Sequence, residues 1–327
     1  MDLDAYVLDR AGEWDRMEQL ARRRRLSAAE ADELVMLYQR AATHLSVLRR
    51  RSPDPVVLAD LSRQLMAGRA AINRGQGFVW RSIPRFFLRT FPAQLYAARH
   101  WWITLGILLM IAGSTLTWYI NAYPQVLAPF LSEQQITDLV GGDFVGYYSQ
   151  YRPQNFAGQV WTNNAVLTAQ CIAAGVLILP VFYLLGVNLL NISITGGVLF
   201  GNGAGGTFLT YLAPHGLLEL TCVFIGAAVG LRIGWAWIAP GPSRTRRQAL
   251  TDRARSGMLI AVGLVPVLAI AGALEAYLTP STLPPAARIG LGAVVWLAFL
   301  AYALLLGRAA QARGVPDDSA RYELPQV

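Results

Sequence analysis

Four ionisable residues inside long apolar runs of this chain are candidates for chemistry: His215, Glu219, Arg232 and Glu275. Such residues are costly in lipid and face a bundle interior, a water-filled cavity or one another. His215 and Glu219 are four positions apart, so a helix sets both side chains on one face. That face continues through Cys222 and Gly226. Glu275 belongs to a later apolar run, and the paired amides Asn163 and Asn164 open an earlier one. Gathered into one buried polar cluster, these side chains allow three kinds of chemistry. An imidazole with two carboxylates is a divalent-metal set and equally a proton relay. The same groups could also form a hydrogen-bonded clasp between spans. No HExxH pattern is present and no second histidine lies near His215. No metal or other cofactor is therefore assigned; if a metal were bound, its ligands would be His215, Glu219 and Glu275. Arg232 is expected to snorkel toward headgroups.

These residues need a membrane bundle to position them. Only 15% of the chain is charged, against about 25% in soluble domains. No Asp, Glu, Lys or Arg occurs from Pro153 to Leu218, a run of 66 residues. One membrane helix takes about 20 apolar residues. Six blocks qualify by this measure: Trp101–Ile120, Asn164–Leu185, Val187–Leu212, His215–Ile238, Ser256–Leu278 and Ala286–Gly307. Gly226, Gly230 and Gly234 recur every four residues and would admit a close neighbouring helix. The expected fold is therefore all-α and polytopic, with six transmembrane helices and an N-terminal cytoplasmic helical domain.

All 28 basic residues are arginine, and the absence of lysine excludes a P-loop and a Schiff base. Cys171 and Cys222 sit within apolar blocks and read as small packing residues. The opening MDLDAYVLDR is acidic and has no apolar core, so no cleavable signal peptide is expected.

Arginine counts set the orientation. Residues 1–100 carry 17 arginines, and Pro240–Arg255 carries five. The 121–159 segment carries one, Arg152, beside three acids. Both termini are thus expected in the cytoplasm, with His44 and His100 on that side. The chain divides into an arginine-rich head (1–80), an interfacial amphipathic helix (81–100), the bundle (101–308) with an outer loop (121–160), and a cytoplasmic tail (309–327). Within the head, Leu3–Arg24, Ala28–Arg51 and Asp54–Ile72 have helical apolar spacing, with Ser27 and Glu30 as a capping box. One short helix over 130–140, capped by Ser132, is expected in the outer loop. The glycine-rich stretch Gly201–Gly206 is either a packing surface or a break in the third span. The arginine runs are assigned to topology and to anionic inner-leaflet lipid rather than to nucleic acid.

The run WTNNAVLTAQCIAAGVLILP, a glycine-rich span, PHGLLELTCVFIGAAVGLRIG and then ALEAYLTPS together resemble the stage II sporulation protein M family of membrane proteins. Trp14, Leu20, Leu34, Tyr38 and Leu45 of the head, and Phe91-Pro92, extend the likeness over nearly the whole chain. Its most specific element is His215–Leu220. The resemblance implies the fold and the membrane location. It also implies a role beside envelope machinery, because the namesake of the family is a membrane component of the engulfment apparatus of spore formers and works beside peptidoglycan hydrolases. It supplies no reaction. The expected function is therefore a non-enzymatic scaffold or anchor of an envelope complex in the bacterial inner membrane. Protein partners in the membrane and self-association would accompany it. A transporter or permease subunit using the polar cluster is the first alternative, and an intramembrane metalloenzyme the second.

Overall fold

The computed structural model describes residues 3–23, 26–51, 53–74, 82–149 and 152–313, and contains helices and turns but no strand among them. Arg24 and Arg25 of the first arginine run, and 314–327 of the expected tail, lie outside the described residues. The chain forms two compact units, 1–83 and 84–327.

The first unit is a three-helix bundle of α1 (Leu3–Arg22), α2 (Ala28–Arg51) and α3 (Pro55–Arg74). Apolar positions at three- and four-residue intervals bury Met17, Leu20, Leu34, Leu48 and Leu61 almost completely. Each fully buried leucine contributes about 1.5–3 kcal/mol. The start of α2 is fixed by a reciprocal cap. The Ser27 amide donates to Glu30 Oε2 at 2.9 Å, and the Glu30 amide donates to Ser27 Oγ at 3.3 Å. Arg16 grips Glu33 through two parallel bonds of 2.9 Å, a geometry specific to guanidinium. Hydrogen bonding to Arg16 lowers the Glu33 pKa below its ordinary value.

One pH effect follows from this unit. The Trp14 indole donates to His44 Nδ1 at 3.2 Å, which requires an unprotonated nitrogen there. Burial, with Arg10 nearby, lowers the His44 pKa. As pH falls through about 6.5, the unfolded chain takes up this proton before the folded unit does, so stability declines from there downward. The expected result is a melting temperature of the first unit that falls between pH 7 and pH 5, with the slope reduced in His44→Gln. An equal slope in the variant would remove His44 as its cause.

A short helix, Ser82–Arg85, spans the boundary between the units and is followed by a wide turn at Phe86–Thr90. Next comes α4 (Phe91–Ala97), with Phe91, Pro92, Ala93, Gln94 and Leu95 buried. The expected surface helix over 81–100 is thus interrupted. Arg85, Leu88 and Arg89 are exposed, whereas α4 is drawn into the bundle. Its Gln94 Oε1 accepts from the buried Ser256 hydroxyl at 2.6 Å. The apolar residues of 91–98 outnumber what one interfacial face needs, and the excess packs inward.

Among the described residues, five helices are long and apolar enough to cross a membrane: α5 (Arg99–Ala122), α8 (Leu179–Gly201), α9 (Gly205–Ile238), α10 (Arg246–Leu278) and α11 (Pro285–Ala312). Between α5 and α8 lie the short α6 (Glu133–Asp138) and the long α7 (Pro153–Ala174). The count of apolar spans is therefore five rather than six. α7 has 22 residues but carries Gln154, Asn155, Gln159, Asn163, Asn164 and Gln170, which dilute its hydropathy. It nonetheless runs the depth of the bundle. Ala157 and Trp161 face Gly272, and Ile172 faces Gly257, so α7 is antiparallel to α10. Thr168 faces Gly226 and Cys171 faces Gly230, so it is parallel to α9.

The boundaries of the second and third blocks also move. The block Asn164–Leu185 straddles a break: α7 tightens into a 3-10 turn at Gly175–Leu177, and Ile178 takes φ 63. Pro180 then opens α8. The block Val187–Leu212 straddles the reversal at Asn202–Ala204, where Gly203 has φ 75. Apolar residues run unbroken through the first corner, so composition alone does not mark it. The glycine-rich stretch is a hairpin turn between two helices and not an unwound span.

Residues 124–149 lie across one end of the second unit. α6 is capped by Ser132 paired with Gln135, while Leu131, Ile136, Leu139 and Val140 pack on Ile120, Leu127 and Val198. This is the capped end of the bundle.

Candidate functional site

Beneath the capped end, α9 contains Pro214 followed directly by His215. Proline lacks the amide that closes a helical turn, so the helical bond to the Thr210 carbonyl is missing there. Gly292 of α11 abuts the Pro214 backbone at this point; a Cβ on Gly292 would overlap it. α10 ends in a wide π-turn over Leu274–Leu278, and the Thr279 amide donates to the Leu274 carbonyl at 2.9 Å. A π-turn rotates the residues it contains relative to a regular helix, a feature common at functional sites. Here it carries Glu275 into the interior, where that residue is 5% exposed.

His215, Glu219 and Glu275 converge: one ligand atom from each lies within 4.8 Å of the others. His215 Nε2 is 3.8 Å from Glu275 Oε2. Its Nδ1 is 3.2 Å from the Thr279 hydroxyl, which in turn donates to the Leu274 carbonyl at 3.3 Å. The buried Arg288 donates to the Thr279 carbonyl at 2.5 Å and lies 5.3 Å from the Tyr211 ring centre. Tyr148, from the capping segment, packs at a tilt against Tyr211 with ring centres 5.1 Å apart and lies 6.1 Å from the His215 ring. Burial raises the Tyr148 pKa, so its hydroxyl stays protonated over the cluster.

The paired amides separate. Asn164, on α7, lies beside Glu219, and its Nδ2 donates to the Val160 carbonyl at 3.2 Å. Asn163 is exposed and stands outside the cluster. Adjacent residues on a helix point about 100° apart, so only one of the pair can turn inward. Arg232 is 8% exposed and thus buried in the bundle rather than extended toward headgroups. Cys171 and Cys222 are buried free thiols.

Thr279, Arg288, Tyr148 and Tyr211 were not singled out from sequence. Arg288 carried a signal, since it is a charged residue three positions into an apolar block. The other three carried none, because threonine and tyrosine are ordinary at helix ends and in loops.

The seam that supports the site joins α7 to α9. Gly226, Gly230 and Gly234 all face α7 or the turn that follows it. The Gly230 backbone lies against Cys171 and Gly175, too close for any Cβ between them. Such proximity permits extensive van der Waals contact where lipid supplies no hydrophobic drive.

No curated protein and no solved structure matches this chain. Residues 4–74 match a domain of unknown function, DUF8413, and these are the three helices of the first unit. Residues 103–280, more than half of the chain, match the family described as Stage II sporulation protein M, and they include every converging residue of the cluster. The chain is a multi-pass membrane protein that belongs to the stage II sporulation protein M family.

Proposed function

We propose that this protein is a non-enzymatic anchor in the bacterial inner membrane, holding an envelope assembly at its capped end. Both termini face the cytoplasm in this reading, as the arginine distribution indicates. The observation that carries the proposal is the interlocked backbone of α7 and α9 at Gly175 and Gly230. Alternating access rocks one bundle against another, and a seam with no side chain between its helices resists that sliding. A rigid bundle suits a platform. The capping segment also presents Phe130 at 63% exposure and Tyr147 at 47%, aromatic residues of the kind that anchor protein interfaces. Exposed Arg85, Leu88 and Arg89 suit anionic inner-leaflet lipid.

A permease reading draws on one feature, a cavity of about 430 Å³ between α5, α8 and α9 lined by Ser114, Asn121, Asn188, Phe208 and Phe224 among others. One experiment separates the two. The double variant Phe130→Asp, Tyr147→Asp is expected to abolish the envelope phenotype of complemented deletion cells, with membrane levels unchanged. Asn188→Leu, which narrows the cavity, is expected to leave the phenotype intact. The reverse pattern would favour the permease, and extracellular protection of a label at Gly142 would overturn the orientation.

A further inference from the structure

We propose that His215, Glu219 and Glu275 bind one divalent transition-metal ion, with zinc the best chemical match. The inference is independent of the anchor reading and rests on the arrangement of donor atoms. Glu219 Oε2 is fully buried and has no hydrogen-bond partner. A carboxylate oxygen without a partner in such a position is strongly unfavourable, and a cation satisfies it.

The histidine supplies a second, separate observation. The Thr279 hydroxyl gives its proton to the Leu274 carbonyl, so its oxygen is free to accept from His215 Nδ1–H. That bond leaves Nε2 with its lone pair, directed toward Glu275 Oε2 at 3.8 Å. Two acceptors face each other at a distance too long for a shared proton to make a good hydrogen bond. The same separation suits two ligands of one ion: bonds of about 2.1 Å that subtend about 130° span it. Shifts on the order of 1 Å bring all three donor atoms to a common centre.

The surroundings resemble the support that metal-bound histidines usually receive. The ring nitrogen remote from the ion is held by a neighbouring oxygen, which fixes tautomer and orientation. Thr279 does this here, and Arg288 fixes the Thr279 carbonyl. Two carboxylates and a neutral imidazole neutralise a divalent ion, so a buried complex carries no net charge. The mixed nitrogen and oxygen donors favour zinc over magnesium or calcium, which take oxygen ligands. Three protein ligands leave one coordination position open.

The test uses the full chain in detergent, purified without a polyhistidine tag, stripped with chelator and titrated with Zn²⁺. The expected result is one zinc per chain by elemental analysis and a raised melting temperature. Cobalt substitution is expected to give the visible absorption of a low-coordinate Co²⁺ centre. Glu219→Gln, which retains shape, should weaken zinc binding more than tenfold, and Thr279→Val about 10–100-fold. Glu133→Gln, at an exposed acid on α6, should leave binding unchanged. Failure of the wild-type chain to bind zinc overturns the proposal. So does undiminished binding in a folded His215→Ala, Glu219→Gln double variant, or stabilisation by Glu219→Gln with no effect of zinc, which would mark a site holding protons only.

Discussion

Replacing Gly230 by leucine is expected to prevent the bundle from assembling, and this is the largest single-residue effect foreseen outside the polar cluster. A leucine side chain at this position has no space: its Cβ alone would overlap the Cys171 carbonyl and crowd the Gly175 backbone. Overpacking a core costs about 1–3 kcal/mol where side chains can move. Here the obstacle is backbone on both sides, so the penalty should exceed the upper end of that range. α7 and α9 would have to separate, which would also withdraw Asn164 from Glu219 and leave both polar groups facing lipid. Gly226→Leu should be less severe, because the first obstacle there is the Thr168 methyl group at 2.5 Å. Leu231→Ile, a volume-conserving change at a partly exposed neighbour, should cost less than about 1.5 kcal/mol. The measurement is thermostability in detergent together with the monodisperse fraction after extraction. Equal behaviour of all three variants would show that the seam does not hold the bundle together.

The seam also shows what the sequence could and could not reveal. A four-residue glycine repeat on one helix was legible from spacing alone, and so was the shared face of His215 and Glu219. The partner of the seam was not legible. α7 is too polar to register as a span by composition, and its apolar end runs without interruption into α8. The corner between them depends on one residue, Ile178, in a conformation that no propensity favours. Depth in the membrane could be inferred for Glu275, but its inward direction depends on the π-turn of Leu274–Leu278, which apolar periodicity does not encode. The surrounding residues Thr279, Arg288 and Tyr148 come from two helix ends and a loop. Only the folded chain brings those segments together. The head was the easiest part to read because water, unlike lipid, imposes a clear apolar stripe on each helix.

Glu219→Gln and Glu275→Gln together provide the most informative stability measurement. Each change keeps side-chain size and one carbonyl oxygen while removing a potential charge. Their donor atoms lie within 4.8 Å of each other and of His215, close enough that neither substitution leaves the other unaffected. In the chelated protein the first substitution should relieve repulsion between facing oxygens, since an amide can donate where a carboxylate cannot. The second substitution then has less repulsion left to remove. The double variant should therefore differ from the sum of the singles by about 0.5–3 kcal/mol. With zinc present the sign should reverse, because each glutamine now removes a charged ligand and the wild type gains stability by binding that the variants cannot match. Reversible unfolding in mixed detergent measures all four corners of the cycle in both conditions. Additive effects within about 0.3 kcal/mol in both would show that the two carboxylates act separately. A cycle that couples without zinc and shows no change with it would keep the clasp and exclude the ion. Coupling that changes sign between the two conditions is the expected outcome, because one cation would satisfy both the orphaned carboxylate oxygen and the imidazole lone pair directed at the second carboxylate.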